Sequence, residues 1–462
     1  MTTIDSGADA LATTIPAMPA RVFRPPAGGG TASGADPDLP QGYVEEEYLV
    51  SGLANVYQHD ADRRLVVQDA DRAYTTRVIV RYPADPAAFS GDLVFEAFHP
   101  EGGQATLWSN LREYVAERGD AYCGVTVRRE PYNFLIQPPQ TATTRLVAAD
   151  PVRYADIDFD ESGLTWDVIS QVGRLVRSDV AENPLRQYRP RVVVKGGYSG
   201  AGATMLFYLN EGFPALRMPD GGPVFDAFLV GEPSRYPSVS TAAGDADAPA
   251  DDDPRQKIQP RQQPVIQLYS TEFAFEFGKG RFRADSDEPG DRYRLWVVPG
   301  AYHAGRAGAR ALEQLGTKAG EARYPYSTVP LDHYFPLAVD HLKRWARGES
   351  VPPHAPVFQM LPDGGMALDA LGNQIGGVPV PTMDVPSASH PENGPDIMSR
   401  LLGGEVPFGP EKLRELYGTR EAYLLRMERR VRELIGLGWL LPMHAKEVMD
   451  QARTVDFGPA SG

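Results

Sequence analysis

The sequence predicts an α/β protein built on a central, mostly parallel sheet. Two observations predict it: β-branched runs alternate with helix-forming stretches through the middle of the chain, and those runs end repeatedly on Gly, Pro or small residues where a new segment begins. At 462 residues and 42% hydrophobic, the chain can bury one substantial core and still carry an insertion or extension.

Residues 1–40 are rich in Gly, Pro, Ala and Ser and read as a flexible N-terminal arm. Short strand pieces are expected at Tyr48-Leu49-Val50 and Arg64-Leu65-Val66-Val67. A firmer strand is expected in YTTRVIVRYP, 74–83, because Thr, Val and Ile crowd a helix but pack across a pleat. Residues 91–98 form the next strand, which ends in His99-Pro100-Glu101-Gly102-Gly103. TLWSNLREYVAERG is a helix stopped by Gly119, and AYCGVTV begins another strand. Residues 129–185, with IQPPQ and a helix near TWDVISQVGRLVRSD, are a cap candidate.

In RPRVVVKGGYSGAGATMLFYLNEGF a β-branched run reaches glycines and then turns helix-favouring. Residues 241–263 read as a flexible acidic excursion, and Asp251-Asp252-Asp253 within it as solvated linker rather than a cation site. PVIQLYSTE and YRLWVVPGAYH are two more strand-to-loop units, FPLAVDHLKRWARG is a helix, and 409–452 should hold two helices. The domain plan is therefore an arm at 1–40, a core at 41–350 including its insertions, and a partly helical C-terminal extension at 351–462 packed on that core.

A net charge of -15 disfavours a nucleic acid or an anionic membrane as partner. Cys123 is the one cysteine and sits in an apolar run, so a buried thiol is expected and an internal disulfide is excluded. The start lacks a basic region followed by an apolar core, and no 18 apolar residues run together, so a cytoplasmic location is expected. Motifs for zinc proteases, CxxC pairs, phosphate-binding loops and dinucleotide folds are absent, so no cofactor or metal is expected.

A serine hydroxyl becomes a useful nucleophile only with a histidine base and a carboxylate that orients it. Gly197-Tyr198-Ser199-Gly200-Ala201 follows the Val192-Val193-Val194 run and precedes a helix, the setting in which an α/β-hydrolase fold presents its nucleophile on a sharp turn. Ser199 is the candidate nucleophile. His303, just past a strand and a Pro-Gly break, is the candidate base; His333 and His341 lie in or beside a helical stretch, and His59, His354, His390 and His444 lack that strand-end setting. Glu272, at the end of VIQLYSTE, is the candidate acid, in the chain order Ser, acid, His, with Glu276, Asp285, Asp287 and Asp291 as competitors. For the oxyanion, the Gly200 amide is one expected donor, and the second should come from the 99–103 turn. Pro100 has no N–H, which leaves the amides of His99, Glu101 or Gly102, or the His99 side chain.

From about residue 42 the chain resembles the alpha/beta hydrolase domain-containing proteins. The resemblance is carried by GYVEEEYLVSGLANVY, by Gly197-Tyr198-Ser199-Gly200-Ala201-Gly202 where the family has G-x-S-Q-S-G, by FYLNEGF, by Ser270-Thr271-Glu272 and by Gly300-Ala301-Tyr302-His303. Later segments match too: RWARGESVPP, LGNQIGGVPVPTMDVP and VPFGPEKLRELYGTREAYLLRMERRVRELIGLGWLLPMHAKEV. Gly200 and Ala201 replace Gln and Ser at the elbow, and Gly376-Gly377-Val378-Pro379 stands where relatives show GG-[VI]-R, so no arginine role carries over there. The resemblance implies a serine hydrolase with the same three site residues and carboxylic ester hydrolysis in a broad sense.

The expected activity is cleavage of a small to medium ester, lactone or thioester. An acyltransferase using the same residues and a catalytically silent binding scaffold are the alternatives, and homo-oligomerisation is left open. Tyr132, Phe134, Tyr334, Phe335 and Trp345 are candidate pocket walls, each also suited to a core.

Overall fold

The computed structural model describes residues 15–26, 35–128, 141–244, 248–250, 253–278, 280–304, 323–361, 365–392, 394 and 397–459. Part of the cap candidate, including Tyr132 and Phe134, lies outside them, as do Asp251 and Asp252. The chain forms two compact units: 1–265 with 288–292 and 342–349, and 266–287 with 293–341 and 350–462.

The first unit contains β1 (Arg21–Phe23), β2 (Tyr43–His59), β3 (Leu65–Pro83), β4 (Asp92–Ala97), β5 (Ala121–Val125), β6 (Val192–Tyr198) and β7 (Ala227–Gly231), in the spatial order β1-β2-β3-β5-β4-β6-β7. β1, β2, β3 and β5 pair antiparallel in that order, while β5–β4, β4–β6 and β6–β7 are parallel. Its helices are α1 (Thr106–Arg118), α2 (Ala142–Ala149), α3 (Thr165–Arg177) and α4 (Gly200–Asn210). Every residue of β4, β5 and β7 is buried, β5 and β7 as the apolar runs of a covered sheet and β4 with Asp92 and Glu96 among its buried residues. Cys123 is fully buried on β5, which pushes its thiol pKa up.

The two short strand pieces expected near 48 and 65 are in fact parts of one long hairpin, β2 with 17 residues and β3 with 19. Glu45-Glu46-Glu47 hid this, because a run of carboxylates is depleted in strands. Two of the three carboxylates are matched across the ladder: Glu47 meets the Arg77 guanidinium at 2.5 Å and Glu45 meets that of Arg81 at 2.7 Å. Both arginines are fully buried, and Arg81 also lies 4.3 Å over the Trp108 ring.

The second unit holds β8 (Val265–Ser270, from residue 266), α5 (Thr271–Phe277), β9 (Ser286–Glu288) and β10 (Asp291–Val298), with strand order β8-β10-β9. Helix α6 (Tyr334–Ala346) follows, and its last residues count with the first unit. The C-terminal segment contributes α7 (Pro381–Asp384), β11 (Ala388–Ser389), α8 (Ile397–Leu402), β12 (Val406–Pro407), α9 (Pro410–Tyr417), α10 (Arg420–Gly436) and α11 (Ala445–Arg453). Three helices therefore stand in 409–452 where two were expected. The extra break is Gly418, at φ 78, followed by Thr419 capping α10 through the Ala422 amide. Tyr334, Phe335 and Trp345 are 1%, 0% and 3% exposed, the burial of core side chains. No helix among the described residues is long and apolar enough to cross a membrane.

Candidate active site

β6 runs straight into α4, and the single residue between them is Ser199. It holds φ 62 and ψ -124, a backbone region that L side chains avoid and that costs on the order of 1–3 kcal/mol. The turn around it leaves no room for a side chain at Gly197 or Gly202. A Cβ on Gly197 would come 2.3 Å from the Ala201 carbonyl oxygen, and one on Gly202 would come 2.1 Å from that of Gly231. The small residues read in the sequence are therefore required by close backbone approach. The Ser199 amide donates to the Gly231 carbonyl at 3.1 Å, which ties the turn to the end of β7.

The 99–103 turn stands beside this elbow. The His99 imidazole lies where a Cβ on Gly200 would be only 2.7 Å from its Nε2. The His99 amide, however, donates to the Gln104 carbonyl at 2.9 Å, and the Gly103 amide donates to the His99 carbonyl at 2.7 Å. His99 is therefore removed as a backbone oxyanion donor. Glu101, Gly102 and the His99 ring stay as the turn's candidates, alongside the Gly200 amide in the first turn of α4, where N–H groups have no helical acceptor.

In the second unit the residues on either side of Glu272 pack against the loop that carries His303. Thr271 donates its amide to the Ala301 carbonyl at 3.0 Å, and its Oγ1 accepts the Gly300 amide at 2.9 Å. Phe273 stacks on the His303 ring at 3.9 Å and 5°. Both neighbours of Glu272 thus hold the loop that carries His303. Glu272 is 8% exposed and lines a cavity of about 270 Å³ with Phe275, Tyr302 and Met366. Burial and the Glu272 charge push the Tyr302 phenol up. The competing acids at 285 and 287 are engaged elsewhere: His354 meets Asp285 at 2.9 Å and Asp287 at 3.1 Å, and Arg294 meets Asp287 at 2.6 Å.

The sequence model for the family described as alpha/beta hydrolase domain matches residues 17–450. The chain belongs to that family. Among solved structures this alpha/beta hydrolase is similar to an esterase, Est2, of the Planctomycetes species Thermogutta terrifontis with butyrate bound (19% identity, 52% of this chain and 90% of that one covered, TM-score 0.28). It is also similar to a chain from a study of two prolyl endopeptidases (11% identity, 65% and 39% covered, TM-score 0.32) and to an arylesterase (12% identity, 53% and 80% covered, TM-score 0.28). Scores this low carry no argument about activity. No curated protein sequence matches the chain.

Two residues escaped the sequence reading of this chain. Glu96, fully buried at the end of β4, accepts from the amides of Leu107 at 2.8 Å and Trp108 at 2.9 Å and from the Tyr122 hydroxyl at 2.6 Å. It caps α1 where Ala105 has no side chain to do so, and thereby anchors the far side of the 99–103 turn. Burial raises its pKa despite those donors. Glu232 follows β7, is fully buried and has φ 47; beyond it the Ser234 amide reaches the Ser199 carbonyl at 3.4 Å. The strand-end rule that picked Glu272 would also have picked Glu232 after AFLVG.

Proposed function

We propose that the chain is a serine hydrolase that cleaves a carboxylic ester or lactone of a small to medium substrate through an acyl-enzyme. The observation that carries this reading is the strained backbone of Ser199 at a strand-to-helix turn packed too tightly for any Cβ at Gly197 or Gly202. In the proposed cycle the Ser199 Oγ attacks the carbonyl carbon while His303 accepts its proton, and Glu272 orients and stabilises the charged imidazole. The oxyanion is held by the Gly200 amide and a donor of the 99–103 turn. The carbon–oxygen bond then breaks, the alcohol leaves with the proton from His303, and water attacks the acyl-enzyme by the same route in reverse to release the acid and free Ser199.

A fluorophosphonate probe tests this on the whole protein: mass spectrometry should locate the label on Ser199, and Ser199→Ala should abolish it. Ser199→Ala and His303→Ala are each expected to lower kcat by roughly 10⁴-fold or more with the fold retained, and Glu272→Gln by less. Near-wild-type kcat in either alanine variant would overturn the assignment. Equal product acid with and without added alcohols identifies water as the acceptor; ester products would identify an acyltransferase.

A further inference from the structure

His333, His444 and Glu447 converge away from Ser199, Glu272 and His303 in the sequence, and nothing in the proposed reaction uses them. His333 closes a single helical turn directly before α6, His444 immediately precedes α11, and Glu447 lies in the first turn of α11, three residues on and so on the same helix face. One ring nitrogen from each histidine and one oxygen of Glu447 all lie within 4.8 Å of one another. The Glu447 carboxylate is 3.0 Å from the His333 Nε2, and the two imidazoles stack at 3.9 Å and 14°.

We propose that these three side chains form a binding site for a divalent transition metal ion of the zinc type. Two imidazole nitrogens and one carboxylate oxygen are a donor set that suits zinc, and three protein ligands leave a fourth position for water. The stacked rings must splay by a small side-chain rotation to bring both nitrogens to the roughly 2.0–2.1 Å that zinc requires. His333 is 3% exposed, whereas Glu447 is 50% exposed, so an ion has a route from solvent to a partly buried site. The carboxylate places an anionic oxygen beside the two imidazoles. That arrangement attracts a cation more strongly than an isolated histidine pair does.

Bound metal would clasp α11 to the turn before α6. The same helix already reaches that stretch through Gln451, whose side chain donates to the Thr328 Oγ1 at 2.6 Å. A metal at 333, 444 and 447 would add a second attachment one turn earlier on α11. Spacing motifs could not find the site, because His333 and Glu447 are 114 residues apart.

The test uses the full chain, stripped with chelator and returned to metal-free buffer, and zinc chloride as the probe. Isothermal titration should give one saturable site per chain, and zinc should raise Tm. Glu447→Gln and His444→Asn lie at exposed or half-exposed positions and should keep the apo fold by circular dichroism. Each should weaken zinc binding by at least the roughly 10–100-fold that loss of even an outer-shell partner costs, and each should remove the Tm rise. Lack of saturable zinc binding by the wild-type chain would overturn the proposal. So would binding and a Tm rise that persist unchanged in both variants, since the ion would then sit on other side chains.

Discussion

Ser199 and Glu232 both hold positive φ, at 62 and 47, on either side of the hydrogen bond that joins the elbow to the end of β7. A positive φ on a non-glycine residue persists only where its surroundings impose it, and such residues gather at functional sites. Glu232 is therefore expected to help place the nucleophile. Glu232→Gln keeps the shape and removes the charge, and it should lower kcat/KM by about 10-fold or more while Tm stays within a few degrees. Wild-type kcat/KM in that variant would restrict Glu232 to backbone architecture.

At the scale of elements, β6, the elbow and α4 form one unit whose tolerance is set by main-chain contacts. α4 is buried on almost every side, so it cannot shift without disturbing the core. In Gly202→Ala the new methyl would meet the Gly231 carbonyl oxygen at 2.1 Å, and neither partner is a flexible side chain. The expected result is a loss of about 1–3 kcal/mol in urea unfolding from overpacking. Because the same shift moves Ser199, kcat should fall by roughly 10²-fold as well. Unchanged stability and kcat would mean that α4 and β7 can separate freely. The loop that carries His303 is likewise held by elements far along the chain. The Tyr302 hydroxyl donates to the carbonyls of His390 at 3.2 Å and Pro391 at 3.1 Å, and the Ala304 amide donates to Leu401 at 2.9 Å. The C-terminal segment is thus part of the support for the candidate base.

For the molecule as a whole, the pH dependence of stability should carry the mark of Lys195. This lysine lies on β6, fully buried against Phe95, Tyr208 and Phe225, with its Nζ 3.1 Å from the Met205 sulfur, and burial lowers its pKa from 10.5 to about 7. The unfolded chain binds this proton up to pH 10.5 while the folded chain releases it above about pH 7, so the unfolded state carries more protons in that window. Stability contributed by this group therefore rises with pH between about 7 and 10.5, and its full penalty, on the order of a few kcal/mol, applies below about 7. Lys195→Met should raise ΔG of unfolding near neutral pH and flatten its slope from pH 7 to 10 in urea titrations. An unchanged slope would show that Lys195 stays charged in the folded protein.

Local chemistry made several features legible from the sequence alone. The β4 turn, the elbow at Ser199, and the strand ends at Glu272 and His303 are each specified within about a dozen residues by β-branched runs, Gly and Pro breaks and the helix that follows. The carboxylates of β2 were misread for the opposite reason, since their arginine partners are 30 and 36 residues away and propensity carries no information about a partner on the next strand. Glu96 as the cap of α1, the commitment of the His99 amide within its own turn, and the clamp of Thr271 and Phe273 on the His303 loop were decided only by tertiary structure. So was the meeting of His333, His444 and Glu447. Periodicity and turn chemistry act over a few residues, whereas these contacts are selected by burial and hydrogen-bond satisfaction, which exist only once distant segments have packed.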